Sequence, residues 1–147
     1  MLIPFRSLPV NSIAGIIHIG AHEAEELDDY VAQGKFKVLW VEANPDKYSI
    51  LKGRLSHSSE MFLGHFAAAS STGKSAFLNI ASNGQSSSLL PLGTHADDYP
   101  EIAFENEVLV NLRSVDDWIE ELGVDPSKYN FNNIDIQGYE LNALRGM

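Results

Sequence analysis

Two short stretches decide the fold: Gly15-Ile16-Ile17-His18-Ile19-Gly20 and Lys37-Val38-Leu39-Trp40-Val41-Glu42. Each is an apolar run rich in β-branched or aromatic residues, and each stops at a turn residue or a charge, so each predicts a buried strand. Between them Leu27, Tyr30 and Val31 fall at i, i+3 and i+4. Gly34 stands where a C-terminal glycine cap belongs, which predicts a helix over residues 23–33. A strand, a helix and a second strand at this spacing predict a parallel pair joined by a helical crossover.

The same alternation runs outward from this unit. Asn44-Pro45 opens a second helix, with Asn as N-cap and Pro at the first helical position, and Tyr48, Leu51 and Leu55 give it one apolar face. Met61–Ala68 reads as a third strand. Ser75–Ile80 and Val108–Leu112 read as additional strands, and residues 82–94, rich in Ser, Gly and Asn, as a loop. Ser114-Val115-Asp116-Asp117 is a capping-box start for a helix whose apolar face is Val115, Trp118, Ile119 and Leu122, ended by Gly123. Asn133–Ile136 reads as the last strand and Tyr139–Arg145 as the last helix. The expected fold is α/β and Rossmann-like: one domain over residues 1–147, a parallel sheet in the order 3-2-1-4, and helices on both faces.

Composition narrows the partners. The formal net charge is −10 and the sequence pI about 4.7. An acidic surface repels phosphate backbones, which argues against nucleic acid. There is no Lys/Arg cluster to dock on anionic lipid and no apolar run long enough for membrane insertion. The segment Met1–Val10 has one Arg and two prolines and lacks the pattern of a signal peptide, and the chain contains no Cys. These features are consistent with a cytoplasmic protein.

In parallel α/β sheets ligands bind at the carboxyl ends of the strands. Gly20 ends the first strand and permits a tight turn. Glu42 ends the second, at a spacing where a carboxylate can accept from both hydroxyls of an adenosine ribose. Singly these read as well as a turn glycine and a surface carboxylate. Together, at two adjacent strand ends, they favour a nucleoside-containing cofactor. The dinucleotide fingerprint would need glycines at His22 and Glu25 and would bring a pyrophosphate to a segment carrying Glu23, Glu25 and Glu26. S-Adenosylmethionine carries a sulfonium and an ammonium and no phosphate, so an acidic loop suits it better than NAD.

These blocks resemble a known family. His18-Ile19-Gly20-Ala21-His22-Glu23-Ala24 is similar to the Asp-x-Gly-Ala-Asn-x-Gly motif of FkbM-type methyltransferases, with His18, His22 and Ala24 as departures. Glu42-Ala43-Asn44-Pro45 resembles their second-strand ending, Ala67-Ala68-Ala69-Ser70 with Gly73 their third-strand segment, and Ser114-Val115-Asp116 their Thr-Leu-Asp. Asn133-Ile134-Asp135-Ile136-Gln137-Gly138-Tyr139-Glu140, with Leu144-Arg145-Gly146, is the most specific match, although Asn133 stands where the family often has Lys. The resemblance implies a class I methyltransferase fold and transfer of a methyl group from S-adenosylmethionine to a sugar, glycan or secondary metabolite. It implies cofactor contacts from His18, Gly20, Ala21, His22, Glu42, Ala43, Ala67 and Ala68, and a catalytic role for Asp135 as general base or in positioning the donor. It also implies three more core strands after the Asp135 strand, so the chain is expected to be an N-terminal, cofactor-binding part, truncated after the fourth core strand and inactive alone. The alternatives are a degenerate adenosyl-binding module without activity and an NAD-dependent oxidoreductase.

Other patterns read more simply. Gly73-Lys74-Ser75 mimics the end of a phosphate-binding loop, but Ala68 stands where its first glycine belongs, so it reads as a turn. His18 and His22 span a strand end rather than a helix face, which does not make a zinc site. Asp135 with Glu140 could hold a cation, but Glu140 reads better as a support of the last helix. Ser86, Ser87 and Ser88 could touch substrate or simply belong to a polar loop. His57, His65 and His95 have no partner visible in the sequence.

Overall fold

The computed structural model describes residues 5–35, 37–57, 59–82, 87–90 and 104–147. Four strands, β1 (Ile16–Ile19), β2 (Val38–Glu42), β3 (Met61–His65) and β7 (Phe131–Ile134), form a parallel sheet in the order β3-β2-β1-β7. This is the expected 3-2-1-4 arrangement. A second sheet, in the order β4-β6-β5, comprises β4 (Ala67–Ala68), β5 (Lys74–Ala81) and β6 (Phe104–Arg113). The helices are α1 (Leu27–Ala32), α2 (Pro45–Leu55), α3 (Val115–Leu122) and α4 (Glu140–Leu144).

Every residue of β1 and β2 is buried. That follows from their central place: alternate side chains enter different cores, so both faces must be apolar. Ile16, Val38 and Trp40 pack with Tyr30 of α1 and Leu51 and Leu55 of α2. Ile17, Ile19, Leu39 and Val41 pack with Val115, Trp118 and Ile119 of α3 and Ala143 of α4. The caps behave as their residue types predict. Asn44 accepts from the Asp46 amide at 3.0 Å, the Ser114 hydroxyl accepts from the Asp117 amide at 3.2 Å, and Gly123 ends α3 at φ +66°.

Four boundaries differ from the sequence reading. The first helix starts at Leu27, not Glu23, because Gly20, His22 and Ala24 all have positive φ, which a right-handed helix cannot contain. The run 61–68 is two strands in two sheets. Phe66 folds its ring back over Gly64 and packs edge-on to Trp118 at 5.3 Å, which breaks the ladder after His65. The strand of the second sheet read at 108–112 is longer, running 104–113 in antiparallel register with β5. The last parallel strand occupies 131–134, so Asp135 starts the turn after it rather than lying inside it. Ser86, His95 and most of the loop read at 82–94 lie outside the described residues. Among the described residues no helix is long and apolar enough to cross a membrane.

Candidate functional site

The carboxyl ends of β1, β2 and β7 open on one cavity, closed on the far side by the second sheet. It encloses about 610 Å³, counting its open mouth. Gly20 turns the chain out of β1 at φ +81°. A Cβ there would fall within contact distance of the Asp135 carbonyl oxygen, so the glycine is required for β1 and the β7 turn to lie side by side. The Gly20 and Ala21 amides then both donate to the Val41 carbonyl, at 3.0 and 3.1 Å, which ties the departing loop to β2.

Glu42 is the polar centre of the cavity and only 7% exposed. One carboxylate oxygen accepts from the His22 amide and the other from the Asn44 amide, each at 2.7 Å. Burial raises its pKa above the ordinary carboxylate value, and these backbone bonds work against that rise. His22 lines the cavity with its Nδ1 2.5 Å from Glu25. Its Nε2 is buried and has no hydrogen-bond partner among the described residues.

The turn after β7 explains the most specific sequence block as one structural unit. Glu140 accepts from the amides of Ile136 at 3.2 Å and Gly138 at 3.0 Å. Gln137 and Gly138 take positive φ, and the Gln137 amide donates to Asp135 Oδ1 at 2.8 Å. Asp135 thereby faces the cavity, with its pKa raised by partial burial and by Glu140, and lowered in part by Gln137. The remaining blocks meet behind it. The Gly146 carbonyl accepts from the Asp116 amide at 3.0 Å and the Ser114 hydroxyl at 3.1 Å, while its Cα packs so closely on the Ala69 carbonyl that no Cβ fits.

Of the residues expected at a cofactor site, Gly20, His22, Glu42, Ala43, Ala67, Ala68 and Asp135 line this cavity. His18 and Ala21 do not; both are buried in the core beneath it. His18 stacks on Trp40 at 4.8 Å, and its Nδ1 lies 3.1 Å from the Tyr30 hydroxyl, which accepts from Asn133 at 3.0 Å. Burial lowers the His18 pKa to about 4, so it is a neutral core histidine. Sequence reasoning did not single out Phe66, Leu78 and Leu89, which supply apolar walls, or Lys47 and Tyr139. Leu78 and Leu89 carry no local signal because they reach the cavity only through the second sheet. Ser87 and Ser88, from the polar loop, also line it.

The acidic loop is less bare than its sequence suggests. Glu23 pairs with Lys47 at 2.5 Å and Glu25 with His22. Its geometry is the stronger argument against a pyrophosphate: α1 begins seven residues after Gly20, and none of its residues lines the cavity. Among the described residues no group of three or more His, Asp or Glu side chains could hold a metal ion.

In fold the chain is similar to the crystal structure of methyltransferase FkbM from Methylobacillus flagellatus KT, with a TM-score of 0.57 at 20% sequence identity. The likeness covers 90% of this chain and 28% of that one, so the chain spans little more than a quarter of that relative's length. No curated protein matches it in sequence. Residues 18–147, which contain every site element described above, match the methyltransferase FkbM domain, and the chain therefore belongs to the FkbM methyltransferase family.

Proposed function

We propose that this domain binds S-adenosylmethionine in the cavity at the ends of β1, β2 and β7, and serves methyl transfer to a hydroxyl of a sugar, glycan or secondary metabolite. The observation that carries the reading is the buried Glu42 carboxylate, held rigid by two backbone amides inside a cavity that Asp135 also faces. Each Glu42 oxygen spends one lone pair on an amide and keeps another for a ribose hydroxyl. His22 Nε2, which has no partner among the described residues, is free to hydrogen-bond the amino-acid end of the cofactor. Phe66, Ala67, Leu78 and Leu89 offer apolar surface to a planar base. Lys47, the cation among the lining residues, is already neutralised by Glu23, which leaves the site suited to a positively charged ligand without phosphates.

When bound, the cofactor supplies a methyl group that leaves the sulfonium by in-line displacement, a reaction governed by alignment of the two partners. The chain's contribution is to hold and orient. Glu42 fixes the nucleoside, and the β7 turn sets the Asp135 carboxylate at the mouth, where it can position the donor or accept the proton of the attacking hydroxyl. The reading is tested by thermal denaturation of the natural protein with S-adenosylhomocysteine or NAD. Saturation at a hundred times the dissociation constant stabilises a protein by about 2.7 kcal/mol. S-Adenosylhomocysteine should raise the midpoint and NAD should not; stabilisation by NAD alone, or by neither, would overturn the proposal.

A further inference from the structure

Ser88 stands where the second sheet meets the turn that carries Asp135, and it is only 6% exposed. Its backbone pairs with Asn79 of β5 in both directions, at 2.9 and 3.1 Å. Its hydroxyl is used twice: it accepts from the Leu90 amide at 3.1 Å and donates to the Gln137 carbonyl at 2.9 Å, across 49 residues of sequence. Gln137 is one of three non-glycine residues with positive φ among the described residues, at +54°, a conformation that persists only where its surroundings impose it. The side chain of that same residue donates to Asp135 Oδ1 at 2.8 Å. Ser88 and Asp135 both line the cavity, so the linkage closes around the space the ligand would occupy.

We propose that Ser88 is a positioning residue: through Gln137 it fixes the direction of the Asp135 carboxylate, and with it the site's preference for a sulfonium over a neutral thioether. This rests on the cofactor reading above, because the preference exists only if the cavity holds the donor. The physical argument is electrostatic. S-Adenosylmethionine and S-adenosylhomocysteine differ by one methyl group and one positive charge. Glu42 is clamped by the His22 amide of the loop after β1 and by the Asn44 amide of its own loop, independently of Ser88. Asp135 is held through Gln137, and the attraction between two charges changes with their separation. A loosened Asp135 should therefore weaken binding of the charged ligand and leave the neutral one unaffected.

The experiment is calorimetric titration of the natural protein and its variants with each ligand. Ser88→Ala should weaken S-adenosylmethionine binding on the order of 3–10-fold, the range of one hydrogen bond's contribution, while S-adenosylhomocysteine affinity stays within about twofold. Introduced into Asp135→Asn, the same change should have no further effect on the ratio of the two affinities. Equal weakening of both ligands would make Ser88 a structural residue only. An unchanged ratio, or a ratio that still shifts in the Asp135→Asn background, would refute the linkage. Gln137→Asn, which tolerates left-handed backbone but shortens the amide, cuts the same chain at its middle and should show the same selective loss, and it decides the matter if Ser88→Ala does not fold. Failure of the natural protein to bind either ligand would instead defeat the cofactor reading, and this proposal with it.

Discussion

Replacing Gly20 by Ala perturbs fold and site at one point. The added Cβ would lie nearer than 3.0 Å to the Asp135 carbonyl oxygen and carbon, a separation that real Cβ contacts essentially never show. It would also place Ala at φ +81°. The left-handed backbone costs roughly 1–2 kcal/mol, and forcing two packed chains apart adds about 1–3 kcal/mol. The bond from the Asp135 amide to the Ile19 carbonyl, 3.0 Å long, would be stretched at a cost of about 1 kcal/mol. The sum is roughly 3–6 kcal/mol, a large share of the 5–15 kcal/mol typical of a folded domain. Gly73→Ala is the control: its φ is +98°, but nothing lies within 4 Å of the added Cβ, so only the backbone term applies. Both variants of the natural protein should be compared by urea denaturation without ligand. A loss for Gly20→Ala no larger than for Gly73→Ala would refute the claim that β1 and the Asp135 turn are packed through this glycine.

Four further outcomes follow from the same geometry. Gly146→Ala should destabilise by several kcal/mol in the same assay, because its Cβ would strike the Ala69 carbonyl and displace the carbonyl that caps α3; a neutral effect would contradict that cap. Glu42→Gln should weaken S-adenosylhomocysteine binding by about 1–3 kcal/mol by titration calorimetry. Because burial raises the Glu42 pKa in the folded protein, its contribution to stability is present below its unfolded pKa and lost as pH rises through the folded one. Denaturation at several pH values should show that loss in the wild type and not in Glu42→Gln. His18 is the opposite case: its pKa falls from 6.5 to about 4, so its contribution is full above pH 6.5 and lost as pH falls towards 4, an effect of about 3 kcal/mol. His18→Gln should flatten that acid slope, and an unchanged slope would mean that His18 titrates freely in the native state.

The parallel sheet was legible because its evidence is local. Runs such as Ile16–Ile19 and Val38–Glu42 state their burial in their composition, and Asn44-Pro45, Ser114 and Gly123 state where helices begin and end. Gly20 and Glu42 were legible as a pair for the same reason, since each stands at a readable strand end. The reason for Gly20 was not: sequence suggests close approach of a ligand, whereas the structure shows close approach of the Asp135 backbone. His18 was misplaced because a motif aligns positions and says nothing of side-chain direction. His18 lies inside β1 and points with Ile16 towards Tyr30 and Trp40, whereas Gly20 stands past the end of the strand, where the chain turns at φ +81° and lines the cavity. Leu78 was beyond reach because the second sheet brings it to the cavity by long-range pairing, and Phe66 because it stands at the break between β3 and β4, inside a run that reads as one strand.

The central claim is that one cavity, between the Gly20 loop, Glu42 and the Asp135 turn, holds the methyl donor. Ultraviolet cross-linking of S-adenosylmethionine carrying a radioactive methyl group, followed by peptide mapping of the natural protein, tests its location directly. Label should fall on peptides that contain Gly20–Glu42, Phe66–Ala68 or Asp135–Tyr139, and excess S-adenosylhomocysteine should abolish it while NAD should not. Label confined to other peptides, or displaced by NAD and not by S-adenosylhomocysteine, would contradict the account.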